Sequence, residues 1–598
     1  MPGGGAPLKR LHACLTISVS AATLVFCSLL LPLPIRGQSD FVVVDQDVPV
    51  KMRDGVTLKA DVYHPKADGK YPVLLERTPY DKSGQAKFGR KAAARGYVVV
   101  IQDVRGRYTS EGEWYTFRHE AQDGYDTVEW AAALEQSNGK VGMFGGSYVG
   151  ATQMLAATAS PPHLAGLAPF VTASNYHENW TYQGGVFEQW FNQSWASGLA
   201  QDSMRRLVAK ETSAMNWKDI LPLASYPMLP SPDPKSVAPY YQDWANHPNY
   251  DDYWKSISIE EFSSNIQVPI LHIPAWYDIF LGGSLRNYML LKAHAGNQAA
   301  RKGQRMWVEI GGHAGGSDQR KIGDVDFGPN APYDADELVL NWYDYLLKGE
   351  RNEFSTRKPV HIFVMGRNVW RDEDDWPLAR AKATKYFLHS GGKANGAAGD
   401  GVLSTQVPAA EITDTFLYDP ANAVPTIGGP LCCDSGHLPP GPRDQRPAEE
   451  RTDVLIYTTL AYSKETEVTG PITLDLYAST SAKDTDFTGK LIDVWPDGFA
   501  QNLTEGILRL RYRNTTEHPD PVTPGEIYHL VLDLWATSNV FLPGHRLRLE
   551  VSSSNFPRFA RNLNTGEDLA AATKMVPATN TIYHDKEHPS ALVLPILP

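Results

Sequence analysis

Residues 141–150 read VGMFGGSYVG, an apolar run followed by a serine among glycines. The apolar run 141–144 is typical of a buried strand, whereas 151–159 is compatible with a helix. Ser147 stands between them, on a strand-to-helix turn whose strained backbone angles require small neighbours. A serine at such a turn exposes its hydroxyl oxygen, so Ser147 is a candidate nucleophile.

The motif differs from the G-x-S-x-G pattern, because Val149 occupies the place of the second glycine and Gly150 follows one residue later. Taken alone, a glycine-rich turn of this kind more often has only a structural role. Serine is also a weak nucleophile at neutral pH and needs a base that a carboxylate orients. The hypothesis therefore depends on residues elsewhere in the chain.

Both required partners follow at the ends of strand-like runs. Asp278 lies just past 268–273, and His313 lies just past 306–310. The ends of strands are where open α/β sheets carry their chemistry, and Ser, Asp, His is the order found in α/β-hydrolases. The structural alternatives are a helix N-cap for Asp278 and a loop histidine for His313. Because the two residues occur together in these positions, we predict a Ser147–Asp278–His313 triad.

Acyl transfer also needs hydrogen-bond donors that are already positioned to stabilise the oxyanion. The backbone N–H of Tyr148, directly after the nucleophile, is one candidate. The hydroxyl group of Tyr80, in the segment RTPYDK at the end of an early strand, is the other. For Tyr80 alone, packing within a loop is the simpler interpretation.

The chain divides into segments by its hydrophobic patterns. Short apolar runs alternate with helical segments in the first part, which favours a mostly parallel α/β sheet. A Trp- and Tyr-rich helical stretch interrupts this pattern, and strands separated by Gly/Pro-rich turns follow. The predicted fold class is α/β, an α/β-hydrolase domain with an inserted helical cap and a C-terminal jelly-roll β-sandwich. The predicted bounds are 1–37 for a signal peptide, 40–174 and 259–350 for the hydrolase domain, 175–258 for the cap and 355–598 for the β-domain.

The first residues have the pattern of an export signal. Lys9 and Arg10 precede an uncharged apolar run, 15–33, and polar residues follow at once. We expect cleavage near Gln38 and a secreted or periplasmic protein without stable membrane insertion. The alternative is an uncleaved membrane anchor, because the run nearly reaches the roughly 20 residues that span a bilayer.

Cysteine usage argues against a disulfide framework. Two of the four cysteines lie in the leader, so only the adjacent pair Cys432 and Cys433 belongs to the mature chain. This pair offers no zinc-type spacing. Neighbouring cysteines can bond only through a strained ring, and we therefore expect two free thiols.

Charge and motifs limit the partners. The formal net charge of -12 opposes binding to a phosphate backbone, so nucleic acid is not an expected partner. The sequence lacks an HExxH motif, a phosphate-binding loop and a dinucleotide fingerprint, and no metal or organic cofactor is expected. The expected partner is a small-molecule ester or amide substrate. The oligomeric state, a homodimer included, stays open.

Nearly all of the chain after the leader resembles the bacterial cocaine esterases and their relatives in the X-Pro dipeptidyl-peptidase clan of α/β-hydrolases. The resemblance rests on TPYDK at 78–82, QDVRG at 102–106, GGSYVG at 145–150, WYD at 276–278 and SSSNFPR at 552–558. It implies an oxyanion hole made of the Tyr80 hydroxyl and the Tyr148 amide. It also implies that a helical cap and a jelly roll close over the site.

The clan contains esterases, α-amino-acid ester hydrolases, cephalosporin acylases and dipeptidyl peptidases. In the amino-acid ester hydrolases, carboxylates soon after the triad aspartate bind the ammonium group of the substrate. Here the four residues after Asp278 are Ile-Phe-Leu-Gly. Phe280, with Trp180 and Trp195 of the cap, resembles the aromatic acyl pocket of the cocaine esterase branch, which suits an apolar or aromatic acyl group.

Other interpretations stay open. Phe187, Phe191 and Trp195 share helical spacing and could mainly pack the cap. An X-Pro dipeptidyl-peptidase or an acylase-type amide hydrolase is the alternative enzyme, and the peptidase would need a buried carboxylate for the free amine, for which Glu178 and Glu188 are candidates. A non-catalytic sugar-binding protein is a further class, because fold alone does not determine function. The predicted function is a serine hydrolase acting on carboxylic esters.

Overall fold

The computed structural model describes residues 41–214, 237–313, 317–568 and 570–598. The predicted leader, 1–37, and the proline-rich part of the predicted cap, 227–234, lie outside these ranges. Within the described ranges, the helices are all too short or too polar to cross a membrane.

A mixed sheet with parallel central strands carries the N-terminal half. Its strand order is β1-β2-β4-β3-β5-β6, and the pairs β3–β4, β3–β5 and β5–β6 are parallel. Parallel bridges from Leu167 to Ile270 and from Phe170 to Ile273 continue the sheet beyond β6. The strands are β1 (Val42–Lys51), β2 (Thr57–Pro65), β3 (Tyr71–Thr78), β4 (Val98–Asp103), β5 (Ser137–Gly146) and β6 (Leu164–Phe170).

The continuation of this sheet brings the later α/β segment alongside the first. The strand Arg305–Gly312 pairs in parallel with three neighbouring strands. The antiparallel strand Val369–Glu373 pairs with one of these and forms the edge of the group. These strands are β9 (Leu271–His272), β10 (Ala275–Tyr277), β11 (Arg305–Gly312), β14 (Val360–Val364) and β15 (Val369–Glu373). The small hairpins elsewhere are β7 (Tyr182–Gln183) with β8 (Val186–Phe187), and β12 (Lys321–Ile322) with β13 (Val325–Asp326).

Helices cover the sheet, which explains why strands such as β4 are buried along their whole length. The described helices are α1 (Ala86–Ala94), α2 (Glu120–Ala132), α3 (Tyr148–Thr158), α4 (Gln189–Ala214), α5 (Pro239–Asn246), α6 (Asp252–Lys255), α7 (Leu281–His294), α8 (Gln298–Lys302), α9 (Ala335–Lys348) and α10 (Arg446–Glu449). Together with the parallel strands they form the α/β fold that the alternating pattern predicts.

The region predicted as a cap contains a π-helical turn, His177–Thr181, the β7–β8 hairpin and helices α4 to α6. Its aromatic side chains are buried against one another and against the sheet domain. One detail of the prediction is wrong, because Phe187 lies in β8 and not on the helix that carries Trp195. The exact bounds of this segment stay a prediction.

The C-terminal region is rich in β-structure. Ten strands follow the order β18-β25-β20-β26-β16-β17-β19-β24-β21-β22, and β23 pairs with β20. Burial alternates along β20 because one face of that strand packs inward. The strands are β16 (Lys382–His389), β17 (Val402–Ser404), β18 (Asp414–Tyr418), β19 (Leu455–Thr458), β20 (Thr466–Thr480), β21 (Asp486–Val494), β22 (Ala500–Arg509), β23 (Tyr528–Phe541), β24 (Arg546–Ser552), β25 (Ala578–Tyr583) and β26 (Ala591–Ile596). Its jelly-roll topology stays a prediction.

Cys432 and Cys433 form a disulfide bond, so the expectation of two free thiols is wrong. Cys433 has a φ of 77°, in the left-handed region, and this turn of the chain brings the two neighbouring sulfurs together. Cys432 is buried in the apolar cluster that also contains Trp180 and Phe280, whereas Cys433 is exposed.

Candidate active site

Ser147 stands at the junction of β5 and α3 with a φ of 60° and a ψ of -128°. A non-glycine residue with these angles is strained, and the surrounding packing must hold it there. A side chain at position 150 would approach the carbonyl oxygen of Phe170 to 3.1 Å and Cβ of Thr172 to 2.8 Å. Gly150 therefore permits the close approach of helix α3 to the end of β6, which explains the displaced glycine of the motif.

Asp278 and His313 come to Ser147 because their strands are neighbours. β10 and β11 are parallel, and Tyr277 is paired with Gly312, so the residues that follow each strand lie side by side. His313 Nδ1 is 2.7 Å from Asp278 Oδ1, and His313 Nε2 is 2.8 Å from Ser147 Oγ. The structure thus brings all three predicted triad residues together.

The carboxylate of Asp278 is fully buried and has a defined orientation. Its second oxygen, Oδ2, accepts a hydrogen bond of 2.9 Å from the backbone N–H of Phe280. Helix α7 begins later, with Phe280 at the N-cap, so Asp278 is not the N-cap residue. An ionised carboxylate accepts the proton on Nδ1 of His313, which leaves Nε2 free to accept the proton of Ser147.

The two predicted oxyanion donors lie next to Ser147. The Tyr80 hydroxyl has Ser147 and the Tyr148 backbone N–H among its polar neighbours, and burial raises its pKa above the usual value. The Tyr148 side chain points elsewhere, since its hydroxyl accepts from the N–H of Phe117 at 2.7 Å and donates to Glu120 Oε1 at 2.9 Å. Only the backbone N–H of Tyr148 is available to a substrate.

The three predicted pocket residues form one aromatic wall beside the histidine. The rings of Trp180 and Phe280 are stacked with centroids 4.2 Å apart, and Trp195 packs edge-on against Trp180 at 5.7 Å. The edge of Phe280 meets His313 at 4.9 Å. This wall is continuous with the packing of the cap, since Phe191 contacts both Trp180 and Phe280.

Two family models and one curated relative match most of the chain. Residues 54–315 match the model of the X-Pro dipeptidyl-peptidase (S15 family), and 352–593 match the X-Pro dipeptidyl-peptidase C-terminal non-catalytic domain. Cocaine esterase from Rhodococcus sp. (strain MB1 Bresler) is 40% identical over 582 residues, which cover 93% of this chain and 98% of that protein. The chain belongs to the S15 family.

Solved structures share the architecture over the whole chain. An aminopeptidase from the marine sediment archaeon Thaumarchaeota archaeon has a TM-score of 0.78 at 25% identity and covers 96% of this chain and 99% of its own. An α-amino acid ester hydrolase has a TM-score of 0.75 at 24% identity, with 96% and 100% covered. The predicted α/β-hydrolase fold with a β-rich C-terminal region is confirmed, and this S15 family member is a serine hydrolase.

Neither candidate carboxylate for a substrate amine faces the triad. Glu188 is buried against Arg558, with 3.4 Å between Oε1 and Nη2. Glu178 accepts from the N–H of Gly184 at 2.6 Å and lines a cavity of about 630 Å³ between the cap, α7 and the C-terminal strands. The triad residues do not line that cavity. Among the described residues, neither Glu178 nor Glu188 forms a hydrogen bond or ion pair with the triad.

Sequence patterns also missed two buried acids near the site. Glu76 in β3 and Glu309 in β11 are 1% and 5% exposed, and burial raises the pKa of each to about 8. Burial thus favours the neutral form of both acids. The available signal was a single glutamate inside an otherwise apolar strand, in LLERT and MWVEI.

Proposed function

We propose that this S15 family member hydrolyses carboxylic esters with apolar or aromatic acyl groups, through an acyl-enzyme on Ser147. The observation that carries the proposal is the continuous chain of hydrogen bonds from Asp278 through His313 to Ser147, at 2.7 and 2.8 Å. This is the arrangement by which a base activates a serine hydroxyl.

In the first half-reaction, His313 Nε2 takes the proton of Ser147 as Oγ bonds to the carbonyl carbon. The carbonyl oxygen becomes negative and accepts hydrogen bonds from the Tyr80 hydroxyl and the Tyr148 N–H. The bond to the leaving oxygen then breaks, and the alcohol leaves with the proton from His313. Water repeats the sequence on the acyl-enzyme, which releases the acid and restores Ser147.

The aromatic wall supports the choice of acyl group. Trp180, Trp195 and Phe280 place aromatic rings next to His313 and provide no counter-ion for an amine. An ammonium group against these rings would lose its hydration without a full partner, whereas an aryl group would gain from burial. The relative at 40% identity, whose name gives cocaine as its ester substrate, supports the same choice.

An X-Pro dipeptidyl-peptidase or an acylase-type amide hydrolase is the second candidate. The description of the matching S15 family model favours the peptidase. Glu188 has one contact with Arg558, at 3.4 Å, and the same guanidinium lies closer to Glu505. Glu178 would need to act from a different cavity.

Substrate profiling tests the proposal. The purified chain is assayed with phenyl benzoate and phenyl acetate beside Ala-Pro 4-nitroanilide, with Ser147→Ala as the control for contaminating hydrolases. We expect the highest kcat/KM on an aryl ester and no activity from the control. A higher kcat/KM on the anilide would replace the esterase with the peptidase.

We also propose that residues 1–37 are a cleaved signal peptide and that the mature protein is secreted or periplasmic. The charged start and the apolar run support this proposal. N-terminal sequencing of protein recovered outside the cytoplasm should begin near Gln38. Intact leader in a membrane fraction would instead show an anchor.

A further inference from the structure

Tyr80 and Trp195 are joined by a hydrogen bond between the core domain and the cap. Trp195 Nε1 lies 2.9 Å from the Tyr80 hydroxyl oxygen. An indole N–H can only donate, so the Tyr80 oxygen is the acceptor. The single proton of the phenol is then left for another partner, and Ser147 and the Tyr148 N–H are its other polar neighbours.

This bond restricts the direction of the phenol proton. A phenolic O–H prefers the plane of its ring, which allows two orientations. One of them would point the proton at the N–H of Trp195, where two positive hydrogens would meet. The other turns the proton away from Trp195 and leaves it for the oxyanion of an ester substrate bound at Ser147. Without the N–H of Trp195, neither in-plane orientation of the phenol proton would be disfavoured.

A second contact holds the same two elements in register. Arg107 is 1% exposed, and its Nε donates to the carbonyl oxygen of Pro79 at 3.0 Å while its Nη1 donates to that of Leu199 at 2.9 Å. Pro79 precedes Tyr80, and Leu199 lies one turn after Trp195 on α4. One guanidinium thus links the loop of the donor to the helix of its partner.

We propose that Trp195 is a positioning residue for the oxyanion donor: it orients the Tyr80 proton toward the reacting carbonyl, in addition to packing the aromatic wall. The proposal rests on the proposed function of Ser147. It makes the cap part of the catalytic geometry, because the helix that covers the site also sets the direction of one donor.

Trp195→Phe removes the N–H, and the test uses 4-nitrophenyl acetate, whose small acyl group depends little on the aromatic wall. We expect kcat to fall roughly tenfold, the effect of losing about one hydrogen bond in the transition state, while KM changes much less. The matched control is Trp244→Phe. Trp244 is fully buried and stacks on Trp195 at 6.1 Å, but it is not bonded to Tyr80. Its kcat should stay within about twofold of wild type.

The two residues should also be coupled. In a Tyr80→Phe background, Trp195→Phe should cost less than about twofold in kcat, because the hydroxyl that it orients is already gone. Equal losses in both backgrounds, or equal losses for Trp195→Phe and Trp244→Phe, would overturn the positioning role. If Trp195→Phe does not fold, replacement of Trp195 by β-(3-benzothienyl)alanine keeps the ring shape, removes the N–H and decides the question in the same way.

Covalent labelling separates this inference from the proposed function. A fluorophosphonate adduct on Ser147 combined with no effect of Trp195→Phe would refute only the positioning role. An adduct on a different serine would refute the proposed function and the inference with it.

Discussion

His313 and His584 both lie against carboxylates, yet their surroundings give the two rings different uses. At His313, Nδ1 faces Asp278 at 2.7 Å and Nε2 faces the hydroxyl of Ser147 at 2.8 Å. One carboxylate holds one proton, and the second nitrogen stays available. The ring can therefore take a proton and return it, as a general base must.

At His584 both nitrogens face carboxylates. Nδ1 lies 3.1 Å from Glu411 Oε2, and Nε2 lies 2.9 Å from Asp414 Oδ2. Burial alone would lower the pKa of His584, but the hydrogen bonds and charges of Asp414 and Glu411 outweigh it and raise the pKa above its ordinary value. Two facing carboxylates favour a proton on each nitrogen and hence the cationic ring. His313 can act as a base because its second nitrogen faces a hydroxyl group. His584 instead forms a structural ion pair, because its second nitrogen faces another carboxylate.

The two histidines should respond oppositely to the same substitution. His313→Gln is expected to lower kcat on an aryl ester by about 10³-fold or more with little change in Tm. His584→Gln leaves buried carboxylates without their cation, so it should lower Tm by several degrees while kcat per folded molecule stays within about twofold. Steady-state kinetics and thermal melts of both variants measure this. Similar losses of activity in the two variants would contradict the comparison.

Tyr80→Phe tests whether the Tyr80 hydroxyl takes part in catalysis at the Ser147–His313 site. It removes one hydroxyl and little packing, so kcat should fall roughly 100-fold while KM changes much less. Tyr115→Phe is the matched control, because it removes a hydroxyl that donates to Asp243 at 2.6 Å, away from the triad. A near-wild-type kcat for Tyr80→Phe would return that residue to a packing role.

Phe280→Ala tests whether the ring that meets His313 also selects the acyl group. We expect kcat/KM to fall about tenfold more for a benzoyl ester than for an acetyl ester, since only the larger acyl group reaches the lost ring. The acetyl ester is the internal control for damage to His313. Equal losses on both esters would assign Phe280 to the packing of the histidine alone.

The smallest expected effect is the pH dependence of stability at His584. Its folded pKa is raised, so its contribution is fully present below the unfolded value of about 6.5 and is lost as pH rises through the folded value. The Tm difference between wild type and His584→Gln should therefore be largest below pH 6.5 and shrink at alkaline pH. Thermal melts of both proteins across this pH range measure the difference in Tm. A Tm difference that grows with pH would show that the His584 ring is not held as a cation.

Much of the fold could be predicted from local patterns. Ser147, Asp278 and His313 each follow a strand-like apolar run, and adjacent parallel strands end at one edge of a sheet, so the triad could be proposed without coordinates. The hydrogen bond between Trp195 and Tyr80 could not be predicted from the sequence. It joins residues 115 positions apart in the chain and depends on the rotamer of each side chain. The disulfide of Cys432 with Cys433 depends on a left-handed turn that no composition rule predicts.

Covalent labelling of the purified protein would establish whether Ser147 is the nucleophile. The purified protein is treated with a fluorophosphonate, digested and mapped by mass spectrometry, with Ser147→Ala as the control. We expect one adduct, on the peptide that contains Gly145 to Gly150, and no adduct in the control. Activity should be lost in proportion to labelling. An adduct on another serine, or full activity after stoichiometric labelling of Ser147, would contradict it.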